Sequence, residues 1–276
     1  MNWFQGMFFG LISGLSDVLP VSSQAHKAIV MKLLGVNGED PILRLVIHAA
    51  ILAALYYSCS NHIQRIIRQL RLSRVPKKRR KRPLDVRTIM EFRLLRTMII
   101  PVLLSLLLLN RTAQWNNKLS MIAVFLLLNG VILFLPSLVA TGNKDARSMS
   151  GLDGLLMGLG GALSVLPGVS CVGAANAVAS VCGAERVFAL NMTYLMHMVL
   201  TAALIAFDLA AIYAAGAVSL TIGTFFIYMV SAAAAFGGAY IGIRAMRMIA
   251  VNIGFGVFAL YSFGAALLSF LLFLMV

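Results

Sequence analysis

Asp17 is the only acidic residue among the first 38 of a 276-residue chain, and His26 follows nine positions later with Ser22 and Ser23 between them. A carboxylate, two hydroxyls and an imidazole at this spacing offer the parts of a group-transfer site. The carboxylate can act as a base or hold a divalent cation, a serine or His26 can attack or relay a proton, and nearby backbone amides can stabilise a developing oxyanion. Such parts suit a phosphate-bearing ligand. Asp17 also sits in an apolar run, where an ionisable side chain is costly and by default functional.

The backbone that must position these residues is interrupted. The stretch reads Gly14-Leu15-Ser16-Asp17-Val18-Leu19-Pro20-Val21-Ser22-Ser23, and an offset of 147 residues lays Gly161, Val165, Leu166, Pro167 and Ser170 on Gly14, Val18, Leu19, Pro20 and Ser23. In both copies an apolar helical run meets Leu-Pro and then small hydroxylated residues. Proline removes a backbone donor and biases its predecessor away from the helical region, so each Leu-Pro is expected to end a helix inside the hydrophobic zone. Non-helical backbone at that depth persists only where protein or water surrounds it, so two re-entrant or broken segments are expected to face one another. Hydroxyls just past each break would cap the next helix, whose free amides make an anion site. The plainer alternative is a pair of proline kinks in continuous helices. Self-similarity at half the chain length implies one membrane domain over 1–276, with a first repeat over about 1–140 and a second over about 151–276.

Composition sets the solvent for these elements. Hydrophobic residues make up 61% of the chain and charged residues 12%, against about 45–50% and about 25% in soluble domains. Residues 45–60, 120–140, 154–184, 187–207, 219–243 and 248–276 carry no Asp, Glu, Lys or Arg. Most reach the roughly 20 apolar residues a bilayer-spanning helix needs, 45–60 being marginal without tilt. The expected class is therefore an all-α polytopic membrane bundle; the long Leu, Ala and Met runs lack the alternation of a β-barrel. The net charge of +14 does not point to nucleic acid, because 13 of the 23 Lys and Arg lie within 61–97. Basic loops flanking spans stay in the cytoplasm, so this segment, with its run Lys77-Lys78-Arg79-Arg80-Lys81-Arg82, is expected there as a topology anchor. Cys59, Cys171 and Cys182 form no CxxC pair and are expected to pack as small apolar residues. The N-terminus has no basic region ahead of a cleavage pattern and is expected to be retained.

At the Leu-Pro segments the chain resembles the integral-membrane undecaprenyl pyrophosphate phosphatases of the bacitracin-resistance type, which recycle the bacterial cell-wall lipid carrier. Their first motif, E-G-x-T-E-F-L-P-V-S-S-T-G-H, is met by residues 13–26, and their second, P-G-x-S-R-S-G, by Pro167-Gly168-Val169-Ser170-Cys171-Val172-Gly173. Weaker matches at Val46-Ile47-His48, at Gly183-Ala184-Glu185-Arg186 and at Phe258-Ala259-Leu260-Tyr261 extend the likeness along the whole chain. The resemblance implies an inverted-repeat bundle with two re-entrant helix-loop-helix segments. It implies removal of the terminal phosphate from a polyprenyl pyrophosphate, with magnesium or calcium, in a cavity open to the outer face of the bacterial plasma membrane. Carried over by position, Asp17, Ser23 and His26 would be catalytic, with Asp17 also a metal ligand. Ser22, Gln24, Gly168, Ser170 and Gly173 would line the substrate site.

The departures are equally specific. The first glutamate of the first motif is Ser13, the second is Asp17, Thr-Gly is Gln24-Ala25, and Arg-Ser of the second motif is Cys171-Val172. Losing that arginine removes a fixed cation of the kind worth about 3–4 kcal/mol in phosphoryl transfer. Lys27 and Arg186 are the candidates to replace it at the phosphates. Two functions follow: a pyrophosphate phosphatase, or a non-hydrolytic polyprenyl-phosphate binder or transporter on the same fold, since paired halves also suit alternating access. A second copy of the chain is the remaining partner class. His48 and His197 lie in apolar runs and are expected as hydrogen-bonded interhelical residues, and Asp208 as an interface residue. Gly237-Gly238 is expected at a close helix contact.

Overall fold

The structure is a computed structural model and describes residues 1–36, 38–80, 82–216, 221–252 and 255–275. Lys81, part of the basic run, lies outside the described residues. The helices in chain order are α1 (Trp3–Val18), α2 (Ser23–Leu33), α3 (Pro41–Ser73), α4 (Val86–Ser105), a single turn α5 (Leu109–Thr112), α6 (Leu119–Phe134), α7 (Gly151–Ala162), α8 (Cys171–Val181), α9 (Arg186–Ala215), α10 (Ile222–Asn252) and α11 (Val257–Leu274). Among the described residues six helical segments are long and apolar enough to cross a membrane, and α7 and α8 are shorter apolar helices. The chain is a multi-pass helical membrane bundle. Its outer surface agrees, with Leu107, Leu260 and Ile222 among many exposed large apolar side chains, which a soluble monomer rarely shows as contiguous patches.

Helix starts are written into the sequence. Asn2 and Ser150 form reciprocal capping boxes with Gln5 and Asp153, and Asp40, Asp85 and Glu185 each accept two backbone amides at the starts of α3, α4 and α9. Such caps satisfy donors that a helix cannot satisfy internally.

The order of elements occurs twice: a short broken pair, α1–α2 or α7–α8, then three long helices, α3, α4 and α6 or α9, α10 and α11. Packing across the halves is reciprocal. α1 lies against α10 and α7 against α4, while α3 meets α9 and α6 meets α11. Small residues permit these approaches. A Cβ at Gly10 or Gly14 would stand 2.2 or 2.1 Å from the carbonyl oxygen of Ser231 or Ala235, and one at Gly158 would stand 2.3 Å from that of Met98. Of the expected Gly237-Gly238 contact, Gly238 lies against Leu11 and Gly237 has open space.

The basic segment differs from a loop over 61–97. α3 continues to Ser73 and α4 begins at Val86, so the connection is only 74–85. Polar contacts hold the helical extensions together: the buried Glu91 carboxylate of α4 meets His62 at 3.0 Å and Arg65 at 3.2 Å from α3, and Arg87 of its own helix at 3.7 Å.

Candidate functional site

Both Leu-Pro breaks are true helix ends rather than kinks. α1 stops at Val18 and α2 begins at Ser23; α7 runs through one tight turn, Leu163–Val165, and α8 begins at Cys171. Ser22 and Ser170 are the respective caps, Ser170 Oγ accepting from Gly173 N at 3.1 Å and Ser22 Oγ from Ala25 N at 3.5 Å. The 147-residue offset pairs Ser170 with Ser23, one residue away from its structural counterpart. The two loops reverse by different means: Ser22 itself adopts φ 65°, whereas the second loop uses Gly168 at φ 136°. Ser22 is the only non-glycine residue with positive φ among the described residues, a conformation that surroundings must enforce.

Freed carbonyls at the first break each find a side chain from elsewhere. Val18 O accepts from Tyr194 Oη at 3.2 Å, Leu19 O from Ser170 Oγ at 3.1 Å and Pro20 O from Asn129 Nδ2 at 3.2 Å. Asn129 also accepts from Ser170 N at 2.9 Å and donates to Ser262 Oγ at 3.0 Å. One fully buried amide therefore ties both breaks together, which answers the demand that backbone in an apolar zone be satisfied internally.

Beside the two breaks lies a cavity of about 60 Å³ whose lining includes Asp17, Ser22, Ser23 and Gln24 from the first break, Ser170 and Cys171 from the second, and His197 from α9. The starts of α2 and α8 thus reach one space, where their amides carry partial positive charge. His197 Nε2 lies 2.7 Å from Asp17 Oδ2 and donates to it. Ser23 Oγ contacts Ser13 O at 3.4 Å, while Ser13, at the position of the motif's first glutamate, is fully buried and bonded to Phe9 O.

Other expected site residues go elsewhere. His26 does not line the cavity. Its Nδ1 donates to Ser22 O at 2.8 Å, so in the neutral ring Nε2 accepts from the Tyr261 hydroxyl at 2.7 Å, and the two rings stack. Gly173 packs on Pro20, and Gly168 lies against Phe125 and Leu126. Neither candidate replacement for the arginine is among the residues that line the cavity: Lys27 Nζ is buried on Glu39 at 3.1 Å, and Arg186 contacts Thr141 and lines a separate pocket with Pro136 and Phe255. His48 and Asp208 do bridge helices, Asp208 receiving His48 Nδ1 and Arg44 Nε at 2.6 Å each. His197 bridges helices too, yet it also belongs to the cavity, which its apolar sequence context gave no sign of.

The donors present do not make a resident divalent-cation site. Among the described residues Asp17 is the only carboxylate lining the cavity, its Oδ2 is engaged by His197, and the other side-chain oxygens of the lining residues are hydroxyls and one amide. Among the described residues no group of three or more His, Cys, Asp or Glu is placed to hold a metal. Calcium takes about six to eight oxygens, and magnesium is held through carboxylates and substrate phosphates.

Residues 6–268 match the family described as bacitracin resistance protein BacA. Curated relatives include undecaprenyl-diphosphatases of Alkaliphilus metalliredigens, 30% identical over 62% of this chain and 63% of that protein, of Renibacterium salmoninarum, 29% identical over 71% and 69%, and of Pseudarthrobacter chlorophenolicus, 28% identical over 71% and 70%. The first of these alignments spans less than two thirds of the relative's length.

Proposed function

The chain belongs to the bacitracin resistance protein BacA family, and from that membership and the Asp17 cavity we propose that it hydrolyses undecaprenyl pyrophosphate to undecaprenyl phosphate. The observation that carries this reading is the meeting of two helix starts, a carboxylate and several hydroxyls in one cavity among membrane helices. The terminal phosphate would lie against the amides of α2 and α8, which take the charge that develops on its oxygens. Ser23 Oγ or a water attacks the terminal phosphorus; the bond to the bridging oxygen breaks, and that oxygen leaves with the lipid monophosphate. Where Ser23 is the nucleophile, a water then attacks the phosphoserine, the Ser23 Oγ–phosphorus bond breaks, phosphate is released and Ser23 Oγ regains its proton. The nucleophile's proton passes to Asp17, the one carboxylate within the cavity. His26 acts by position: it holds Ser22 O and Tyr261 and so fixes the start of α2.

The same proposal places the chain in the bacterial plasma membrane with its two halves inverted. The excess of Lys and Arg within 61–97 supports a cytoplasmic location for the α3–α4 connection.

Phosphate release from undecaprenyl pyrophosphate by the detergent-purified chain tests the activity. Asp17→Ala and Ser23→Ala should each lower it by about 100-fold or more. Binding of the lipid by a folded preparation without phosphate release would retire hydrolysis in favour of a binder or carrier.

A further inference from the structure

We propose that the pocket between the end of α2, the start of α6 and the end of α11 binds an anionic phospholipid of the surrounding membrane, its phosphate held between Lys32 and Lys118. The pocket has a volume of about 580 Å³ and shares no lining residue with the Asp17 cavity. That volume falls within the roughly 300–1,000 Å³ of small-molecule sites and exceeds what a lone phosphate fills. Lys32, Lys118, Asn117 and Ser120 supply its polar lining, and Met31 and Phe273 are among its apolar walls. Both α6 and α11 are long and apolar enough to cross a membrane, so the end they share is where a headgroup meets its acyl chains. Phe270, whose ring lies 6.3 Å from that of Phe273, is 46% exposed and continues the apolar wall toward the middle of α11.

The charge around this pocket is uncompensated. Among the described residues no carboxylate lines it. The two acids of the neighbouring α2–α3 connection are engaged elsewhere, Glu39 by Lys27 at 3.1 Å and Asp40 by the amides of Ile42 and Leu43 and by the Tyr228 hydroxyl. Lys118 also occupies the cap position of α6 without making a capping bond, which sets a cation beside the positive end of a helix dipole. One phosphate shared by the two lysines relieves that repulsion as well as their own, through charge-assisted hydrogen bonds. Basic pockets between membrane helices take anionic headgroups in this way. Lysines that only snorkel to the interface need no pocket, and filling one would not affect them. The site is independent of the hydrolysis proposed for the Asp17 cavity.

The test titrates the full, delipidated chain in detergent micelles with dioleoylphosphatidylglycerol or dioleoylphosphatidylcholine and counts retained lipids by native mass spectrometry. Wild type should retain one phosphatidylglycerol about 10-fold or more tightly than phosphatidylcholine. Lys32→Gln combined with Lys118→Gln should weaken that retention by about 10- to 100-fold, whereas Lys32→Arg combined with Lys118→Arg should keep it. Arg111→Gln, which removes an exposed cation of α5 outside the pocket, should also keep it. Ser120→Trp fills the pocket while leaving both lysines, and should lose the lipid as fully as the Gln pair. Melting temperatures in phosphatidylcholine should be equal across the set; were Ser120→Trp to melt lower, the contrast among the Gln pair, the Arg pair and Arg111→Gln decides. Equal retention of the two lipids, an equal loss in Arg111→Gln, or a folded Ser120→Trp chain that still holds phosphatidylglycerol would overturn the proposal. Glycerol 3-phosphate binding as tightly as phosphatidylglycerol would overturn it too, by assigning the lysines to a soluble phosphate ester.

Discussion

Asn129 lies more than a hundred positions from Asp17, yet its amide is bonded to Pro20 O, Ser170 N and Ser262 Oγ, all within the interior. Asn129→Leu leaves a carbonyl and an amide without partners in an apolar zone and should cost about 2–4 kcal/mol, read as a lowered melting temperature together with loss of phosphate release. Tyr261→Phe removes one hydrogen bond from His26 while keeping the stacked ring. Its expected cost is about 1 kcal/mol, with a fall in turnover smaller than that of Ser23→Ala; a Tyr261→Phe protein as inactive as Ser23→Ala would return His26 to the chemistry itself. The chemistry-bearing residues near Leu-Pro were legible because acids and hydroxyls are rare there and proline marks the break. Asn129 was not. Tyr261 stands in a family match and His197 is expected to bridge helices, but their places at the breaks, like those of Asn129 and Tyr194, come only from a partner between 109 and 235 positions away.

Between α1 and α10 the limiting quantity is backbone separation. Gly10→Val would drive a side chain into Ser231 O and should prevent stable folding or cost about 3 kcal/mol or more, whereas Gly237→Ala, with open space around it, should leave the stability, read from thermal melting, within about 0.5 kcal/mol of wild type. The α3–α4 connection offers a titratable counterpart outside the membrane spans. Hydrogen bonding from the Thr88 hydroxyl, and then from the amides of Thr88 and Arg87, holds the Asp85 carboxyl below its ordinary value of 3.8 despite some opposing desolvation. A carboxyl depressed on folding stabilises above its unfolded value and loses that contribution as pH falls through the folded one. Thermal melting at stepped pH should therefore show an acid-side loss that is smaller in Asp85→Asn. At this scale the sequence was informative about interruptions and poor about boundaries. Leu-Pro located both breaks, but the charges of 61–73 and 86–97 suggested loop where α3 and α4 in fact continue, because Glu91 gathers His62, Arg65 and Arg87 across the two helices.

The class of the molecule was plain from composition, since charge-free runs of this length have few other uses. The reciprocal docking of halves was only hinted at by the 147-residue offset: identities record the breaks, whereas the docking is carried by small residues that are common everywhere in such a chain. With the α3–α4 connection in the cytoplasm, a single cysteine at Lys78 in a chain freed of its other three should resist membrane-impermeant maleimide in spheroplasts and react after permeabilisation; reaction in intact spheroplasts would reverse the assigned orientation. The three carbonyls at the first break also set an order of assembly. Their side-chain partners sit at positions 129, 170 and 194, and Leu19 O also has a local donor in Val21 N at 2.8 Å, so a ribosome will have delivered most of the polypeptide before Val18 and Pro20 can be desolvated without loss. During synthesis the first hairpin must wait in contact with water or an insertion factor, and nascent chains halted before α9 should stay protease-sensitive there even when their later helices are already embedded.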